Sequence, residues 1–356
     1  MRPLPIGSRI GILGDGQLGR MLGCSAAMLG FDVVVMGPNE DSPAGRIAAH
    51  NICAEYTDKD ALAELSVRCD AITLEFENVP VPAVQMLTDM DAKVHPGKKS
   101  LEVCQDRHLE KQFSQGCGVE TARYWLIDSA DTLNAALDEL DGRGILKTRR
   151  DGYDGHGQVR LSTGDDAGAA YEKIGEAPAI LETMIPFAGE MSVVLARSTT
   201  GEIVAFDPAE NHHKNGILHR SIVPARFPAD VQRRAVEAAS RLIEALGHIG
   251  VLAVEFFVLE DGGLLLNEMA PRVHNSGHWT PEACLTGQFE QHIRAIAGWP
   301  LGPVTRLMDV EMTNLLGDDI DGHFGLRGPG AMTTLYGKRD ARPGRKMGHV
   351  VKRLNA

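Results

Sequence analysis

The sequence predicts an α/β protein: an N-terminal parallel sheet wrapped by helices, then a longer α+β region in which hairpins join strands as often as helices do. Three stretches carry that reading. An apolar strand, Arg9 to Leu13, runs into Gly14-Asp15-Gly16-Gln17-Leu18-Gly19 and then into a helical pattern towards Gly30. A loop with Gly152, Gly155 and Gly157 lies between two strand patterns rather than before a helix. Two apolar strands, Val251 to Val258 and Leu264 onwards, flank Asp261-Gly262, a dipeptide suited to a two-residue turn whose central residues both need positive φ.

Taken in order, the first stretch is G-x-G-x-x-G between strand and helix, where glycines allow a tight turn and let a phosphate approach the helix N-terminus. It reads as a Rossmann-like unit. The next strand, Asp32 to Met36, ends in Gly37-Pro38-Asn39 and not in the acidic residue that would hold the ribose of NAD. A purely structural turn is therefore the competing reading. A helix around Asp60 to Val67, a strand Ala71 to Phe76 and a last strand Lys93 to His95, closed by Pro96-Gly97, complete the unit. One amphipathic helix is expected from Ser100 to Ser114, broken by Gly116 to Gly118.

Beyond it, Gly144 to Lys147 enters the glycine loop and Val159 to Leu161 leaves it. A P-loop would lead into a helix and carry G-K-[ST]; this loop reads instead as a flap over phosphates, with Lys147 as a point charge at its mouth. A flexible surface hairpin is the alternative. Strands follow at Ile180 to Met184, Glu190 to Ala196 and Glu202 to Phe206, then Glu210-Asn211-His212-His213 and a helix from Ala229 to Leu246.

In the hairpin after that helix, a two-residue turn at Asp261-Gly262 sets Glu255 directly opposite Glu268. Facing Cβ atoms lie about 4.5 to 5.5 Å apart, so the like charges repel unless a cation sits between them. Carboxylates without thiols favour a hard ion such as Mg²⁺. Strict alternation puts Asn267 on the other face, so it joins the ion only if the strand breaks there. Two glutamates on a solvated face are the competing reading, opposed by the buried character of Ala253, Phe257 and Leu266. The following loop holds Arg272, His274, Asn275 and His278. His274 and His278 have the spacing of a helical zinc pair, but Asn275-Ser276-Gly277 is a poor helix and no third soft ligand is at hand, so zinc is rejected. Pro281 to Gly298 is expected to be the last long helix.

With 356 residues, 43% hydrophobic and 24% charged, the chain suits two or three globular domains. Its formal net charge of −12 opposes general affinity for nucleic acid or anionic membrane. Basic residues nevertheless gather near the C-terminus, including Lys338, Arg342, Arg345 and Lys346, where an anionic ligand fits. Six scattered cysteines with no C-x-x-C pair read as reduced core residues. There is no charged stub with an apolar run and no stretch of about 18 apolar residues, so a cytoplasmic protein is expected.

The motifs G-D-G-Q-L-G-R-M-L at 14–22, F-E-N-V at 76–79, Q-D-R at 105–107, G-Y-D-G-H-G-Q at 152–158, N-E-M-A-P-R-V-H-N-S-G-H-W-T at 267–280 and R-P-G-R-K-M-G-H at 342–349 span nearly the whole chain. Through them it resembles the ATP-grasp ligases, and among these the 5-(carboxyamino)imidazole ribonucleotide synthase family of purine biosynthesis. The resemblance implies a Rossmann-like N-terminal domain over 1–100, a two-lobed ATP-grasp region over 101–298 and a small C-terminal domain over 299–356. It implies ATP between the lobes, near Arg107, Lys147, Gly152, Tyr153, Asp154, Gly155, His156, Gly157, Gln158 and His213. Glu182, Thr183, Met184 and Ile185 would run along the adenine, Glu190 would hold the ribose, and Glu255, Asn267 and Glu268 would hold Mg²⁺. Aminoimidazole ribonucleotide would meet Asp154, His156, Arg272, His274, Asn275, Lys338 and Arg345, with Asp154, Arg272 and His274 taking part in its carboxylation by bicarbonate.

A homodimer is implied, with no nucleic-acid or membrane partner. His156 stands where the family usually carries Arg or Lys, and the chain stops soon after R-P-G-R-K-M-G-H, so a closing helix and part of a dimer surface are expected to differ. A formate-dependent glycinamide ribonucleotide transformylase is the nearest alternative. An NAD-dependent oxidoreductase and a non-catalytic nucleotide sensor are more remote ones.

Overall fold

The computed structural model describes residues 2–152, 156–320 and 330–354. Four parallel strands form the N-terminal sheet, in the order His50–Cys53, Asp32–Gly37, Arg9–Leu13, Ala71–Leu74. Arg9–Leu13 lies between two neighbours, with Ile10 opposite Val33 on one side and Ala71 on the other. That position explains its unbroken apolar run. The expected strand at Lys93 to His95 reduces to a single bridge between Val94 and Ile72; Pro96 has no N–H with which to extend a ladder.

A second, antiparallel sheet of four strands runs Tyr124–Ile127, Ala179–Glu182, Gly144–Thr148, Gln158–Leu161. It packs on the helices Ala130–Asp138 and Ala167–Lys173 through Leu133, Ala170, Leu146 and Leu181. Ser129 and Thr132 form a capping box that starts the first of these helices.

The largest sheet has nine strands among the described residues. Its path is Leu264–Ala270, Gly250–Leu259, Phe187–Arg197, Ala209–Lys214, Ile217–Val223, Val310–Leu316, Lys346–Arg353, Ala331–Leu335, with Ile203–Ala205 paired to Phe187–Arg197. Side chains alternate between two cores. Val193, Leu195, Leu252 and Val254 pack on the helix Ala229–Leu246, while Val194, Ala196, Val251 and Ala253 pack with Phe289 and Ile293 of the helix Gln288–Ile296. The N-terminal helix Gln17–Met28 joins the second core through Leu18, Leu22 and Ala26. The C-terminal strands thus extend the sheet that carries the glutamate hairpin.

Two expected helices are broken. Ser100 to Ser114 divides into Lys98–Cys104 and Arg107–Gly116, because Asp106 is extended and its carboxylate accepts from the amides of His108 and Leu109. It is an N-cap, which starts a new helix. Pro281 to Gly298 divides into Thr280–Ala283 and Gln288–Ile296, because Cys284 is drawn into an extended bridge with Arg306. The cysteines are all free, but only Cys284 is buried; Cys24 and Cys53 are exposed, so the core reading fails for them.

Between the N-terminal sheet and the central one lie the buried His248 and His292 and the half-buried His95. His292 bonds Thr73 at 2.6 Å and accepts from the Val251 amide at 3.0 Å, while His248 bonds Ser100 at 3.1 Å and the Val251 carbonyl at 3.0 Å. Burial pulls His95 and His248 down to about 4 and His292 to about 3. A depressed imidazole stabilises the fold above its unfolded value and loses that contribution as pH falls through the window below it. Glu110, Glu255 and Glu282, all pushed up by burial, act in the opposite direction, so a comparison with a variant isolates one histidine. Each titrating group is worth about 1.4 kcal/mol per pH unit. The stability advantage of the native protein over His292→Gln should therefore shrink by roughly 2 to 3 kcal/mol between about pH 6.5 and 4.5 in urea unfolding. An advantage independent of pH would remove His292 from this account.

Candidate active site

Glu255 does face Glu268, but the turn is not the expected one. Leu259 and Gly263 close a three-residue loop in which only Gly262, at φ +81°, is left-handed. That loop alone would put the register out by one. A β-bulge between Glu255 and Phe256 restores it, since Phe256 pairs with Leu266 and Glu255 with Glu268. Asn267 is the extra residue, and bulges re-aim side chains next to active sites. The strand break that Asn267 needs in order to act with the two glutamates is present.

Glu255 is buried, and its Oε1 has no hydrogen-bond partner among the described residues. Burial, then the charge of Glu268, pushes its carboxyl up to about 7. Arg107 lies 3.5 Å from Glu268, and Glu110 accepts from the Met269 amide at 2.5 Å. Burial raises Glu110 to about 8. Among the described residues no group of three or more His, Cys, Asp or Glu is arranged to hold a metal ion. Two facing carboxylates with one orphaned oxygen fit an ion whose other ligands are water and phosphate oxygens, as Mg²⁺ prefers.

The second sheet supplies the cationic side. Lys147 is buried and donates to Glu182 at 2.7 Å, while Lys111 lies 2.9 Å from the other Glu182 oxygen. Burial works against the Glu182 charge, but Lys147 and Lys111 outweigh it and hold the carboxyl at about 2. Its side chain is thus committed inside the protein, leaving Thr183, Met184 and Ile185 half-buried beyond the strand end. Arg149 grips Asp106 at 3.1 and 2.7 Å, and the Arg107 amide donates to the Arg149 carbonyl. These bonds tie the root of the glycine loop to the helix carrying Arg107, whose guanidinium reaches the Gly152 carbonyl at 3.5 Å. Gly157 and Gln158 lead into the outgoing strand. Tyr153, Asp154 and Gly155 lie outside the described residues.

Glu190 and His213 pair at 2.6 Å. Burial alone lowers His213, but the bond to Glu190 and the charges of Glu255 and Glu268 outweigh it and leave the imidazole above its ordinary value. On the opposite side, Arg272 is ion-paired with Glu77. Burial opposes the Glu77 charge, yet Arg272 brings it down to about 2. Asn275 is buried with neither amide atom partnered among the described residues. Lys338 lies over the Tyr336 ring, and Arg345 donates to the Asp340 carbonyl at 3.0 Å.

A cavity of about 1270 Å³ joins these walls. Arg107, Gly152, His156 and Glu268 line one side, and Arg272, His274, Asn275, Lys338 and Arg345 the other. Lys147, Glu190, His213 and Glu255 are not among the residues that line the cavity. The glycine motif also borders it through Gln17 and Leu18, but its phosphate position is filled. Glu75 accepts from the Gly16 and Leu18 amides at 2.6 and 3.1 Å, and a Cβ on Gly14 or Gly16 would lie 2.4 Å from Glu75 atoms. Those glycines admit an internal carboxylate, which answers the helix N-terminus as a cofactor phosphate would.

Sequence reasoning missed Asp106, Glu110, Lys111, Glu75 and Glu77. Glu110 and Lys111 stand three and four positions after Arg107 on one helix, which was the available signal.

Residues 8–105 match the model of a ribonucleotide synthetase preATP-grasp domain, 112–289 that of the ATP-grasp domain, and 311–353 that of a phosphoribosylaminoimidazole carboxylase C-terminal domain. The N5-carboxyaminoimidazole ribonucleotide synthase of Brucella melitensis is 52% identical over 349 residues, which are 97% of this chain and 96% of that protein. A crystal structure of an N5-carboxyaminoimidazole ribonucleotide synthetase in its ADP complex superposes with a TM-score of 0.96 at 41% identity, covering 100% of this chain and 95% of the other. That of the Aspergillus clavatus synthase, in complex with ADP and 5-aminoimidazole ribonucleotide, gives 0.92 at 29% identity, covering 98% and 94%.

Removing one charge from a buried triad leaves the others uncompensated. Glu182→Gln should cost about 3 to 5 kcal/mol of unfolding free energy, read from urea titrations. A loss below about 1 kcal/mol would mean that the triad behaves like an exposed pair.

Proposed function

Because the chain belongs to the N5-carboxyaminoimidazole ribonucleotide synthase family, we infer that it is an ATP-dependent carbon–nitrogen ligase of purine biosynthesis that makes N5-carboxyaminoimidazole ribonucleotide from 5-aminoimidazole ribonucleotide. The observation that carries this reading is the cavity of about 1270 Å³, which has Glu268, Arg107 and the glycine loop among its lining together with the cationic Arg272, Lys338 and Arg345 and the Asn275 amide. The first set suits a triphosphate and the second a phosphorylated ribonucleotide. The chain is divided here, as expected above, at 1–100, 101–298 and 299–356.

Bicarbonate attacks the γ-phosphate of ATP to give ADP and carboxyphosphate, and the ribonucleotide amine then takes the carboxyl group as phosphate leaves. Mg²⁺ held by Glu255, Glu268 and Asn267 supplies positive charge to the phosphate oxygens. Lys147 and Arg107 add fixed positive charge, which is most of what phosphoryl transfer asks of a protein. Gly152 to Gln158 cover the phosphates and keep water from the unstable intermediate. The Thr183 to Ile185 segment, with Glu182 anchoring its start, flanks the adenine, and Glu190, steadied by His213, holds the ribose.

Asn275 offers the ribonucleotide an amide whose donors and acceptor have no partner among the described residues. Lys338 and Arg345 bind its phosphate, with His156 nearby, and Arg272 is held by Glu77 to face it. His274 Nδ1 lies 2.9 Å from the Ser276 hydroxyl and 3.3 Å from the Ser276 amide, and these contacts hold the ring's orientation. Burial, with Arg272 beside it, keeps that imidazole neutral. A neutral, poorly basic His274 suits orienting the amine, and Asp154 and His274 stay the two candidates to receive its proton. A homodimer in the cytoplasm is the assembly and compartment that accompany this reading, and light scattering tests the first.

ADP release should require both bicarbonate and 5-aminoimidazole ribonucleotide for full rate; release stimulated equally by glycinamide ribonucleotide would overturn the substrate assignment. A charge-assisted hydrogen bond is worth about 1.5 to 3 kcal/mol, or roughly 10- to 150-fold in affinity. Arg345→Ala should accordingly raise KM for the aminoimidazole nucleotide by about that factor, with KM for ATP nearly unchanged. Equal effects on both substrates would place Arg345 elsewhere.

A further inference from the structure

Gln288 opens the helix Gln288–Ile296 and is fully buried, yet each of its polar atoms serves the loop that carries His274. Its Oε1 accepts from the His274 amide at 2.9 Å, and its Nε2 donates to the His274 carbonyl at 2.7 Å and to His278 Nδ1 at 3.0 Å. The backbone N–H of His274 can only donate, so the orientation of the side-chain amide is fixed and all three bonds form together. Thr280 completes the clasp by accepting from the Gln288 amide at 2.9 Å and donating to the Gly277 carbonyl at 2.7 Å. The fit is close: a Cβ on Gly277 would lie 2.6 Å from the Gln288 oxygen.

The third bond leads out of the loop. His278 packs against His349 with ring centroids 4.9 Å apart and the planes tilted by 34°, and His349 Nδ1 lies 2.9 Å from the Tyr336 hydroxyl. Tyr336 and His349 belong to the two C-terminal stretches around the segment bearing Lys338 and Arg345. One side chain thus joins the His274 loop to the wall that carries the cations.

We propose that Gln288 is the positioning residue of the ribonucleotide half of the cavity, holding the His274 backbone at both its N–H and its C=O and tying that loop through His278 to the C-terminal strands. It touches no substrate itself. The proposal rests on the substrate reading given above.

Gln291, one turn along the same helix, supplies the control. It is equally buried and clasps Gly302 in the same two-bond way, at 2.5 and 2.9 Å, away from the cavity lining. In the full-length protein, Gln288→Met should raise KM for 5-aminoimidazole ribonucleotide at least about tenfold, the effect of about 1.4 kcal/mol, with KM for ATP within about twofold of native. Gln291→Met should lower the melting temperature by a similar amount and leave both KM values alone. Gln288→Glu keeps the acceptor for the His274 amide and loses both donors; it should shift KM in the same direction and serves if the methionine variant does not fold. Native-like KM in a folded Gln288 variant, or an equal rise in Gln291→Met, overturns the proposal. Absence of nucleotide-dependent ADP release in the native protein would instead overturn the substrate reading on which it stands.

Discussion

The close approach of Glu255 and Glu268 is the constraint around which the rest of the site is arranged. At an effective dielectric of about 20, two charges about 5 Å apart repel by about 3 kcal/mol. Burial of Glu255 adds to that cost, and the result is a carboxyl pushed up to about 7. Such a pair persists only where surrounding groups or a ligand offset it. Arg107 lies against Glu268, His213 is raised partly by both carboxylates, and the Arg107 helix is in turn locked to the glycine loop through Asp106 and Arg149. The repulsion thus accounts for cationic groups from two separate elements, Arg107 and His213, facing one hairpin.

The N-terminal glycine motif shows how a familiar arrangement is turned to another use. Its helix N-terminus still faces a negative group, as its unpaired amides require. That group is the carboxylate of Glu75, at the end of the strand Ala71–Leu74. The loop is thereby made rigid instead of left open to a dinucleotide phosphate. Gln17 and Leu18, next to the filled position, become part of the cavity wall.

Much of this was legible from the residues. The glycine motif, the position of the second glycine loop between two strands and the glutamate pair each followed from spacing and turn chemistry. The pairing of Glu255 with Glu268 came out right because two departures cancel: a three-residue loop displaces the register by one and the bulge at Asn267 restores it. Alternation along a strand cannot reveal a bulge, since the extra residue leaves no compositional mark. Asp106 was hidden for a different reason. It sits inside a continuous helical pattern, and its capping role depends on an extended backbone together with the salt bridge to Arg149. Lys111 received no role and Glu182 was expected along the adenine, because nothing in either neighbourhood announces a partner on another element. Gln288 fell inside the single helix expected from Pro281 to Gly298, where nothing marked it as a helix start.

These failures share a physical cause that bears on how the site works. Local pattern reports on the elements, whereas the cavity is built where many separate elements of the chain meet, and its key polar contacts bridge separate positions: Arg272 to Glu77, Lys147 to Glu182, Tyr336 to His349. Contacts of that kind are formed only in the assembled fold. A buried polar group left without its partner is costly, so each bridge favours the arrangement in which all its walls are in place. A site that must hold a triphosphate, an unstable acyl phosphate and a ribonucleotide in line gains from this coupling, because misplacing any one wall strands polar groups in the others.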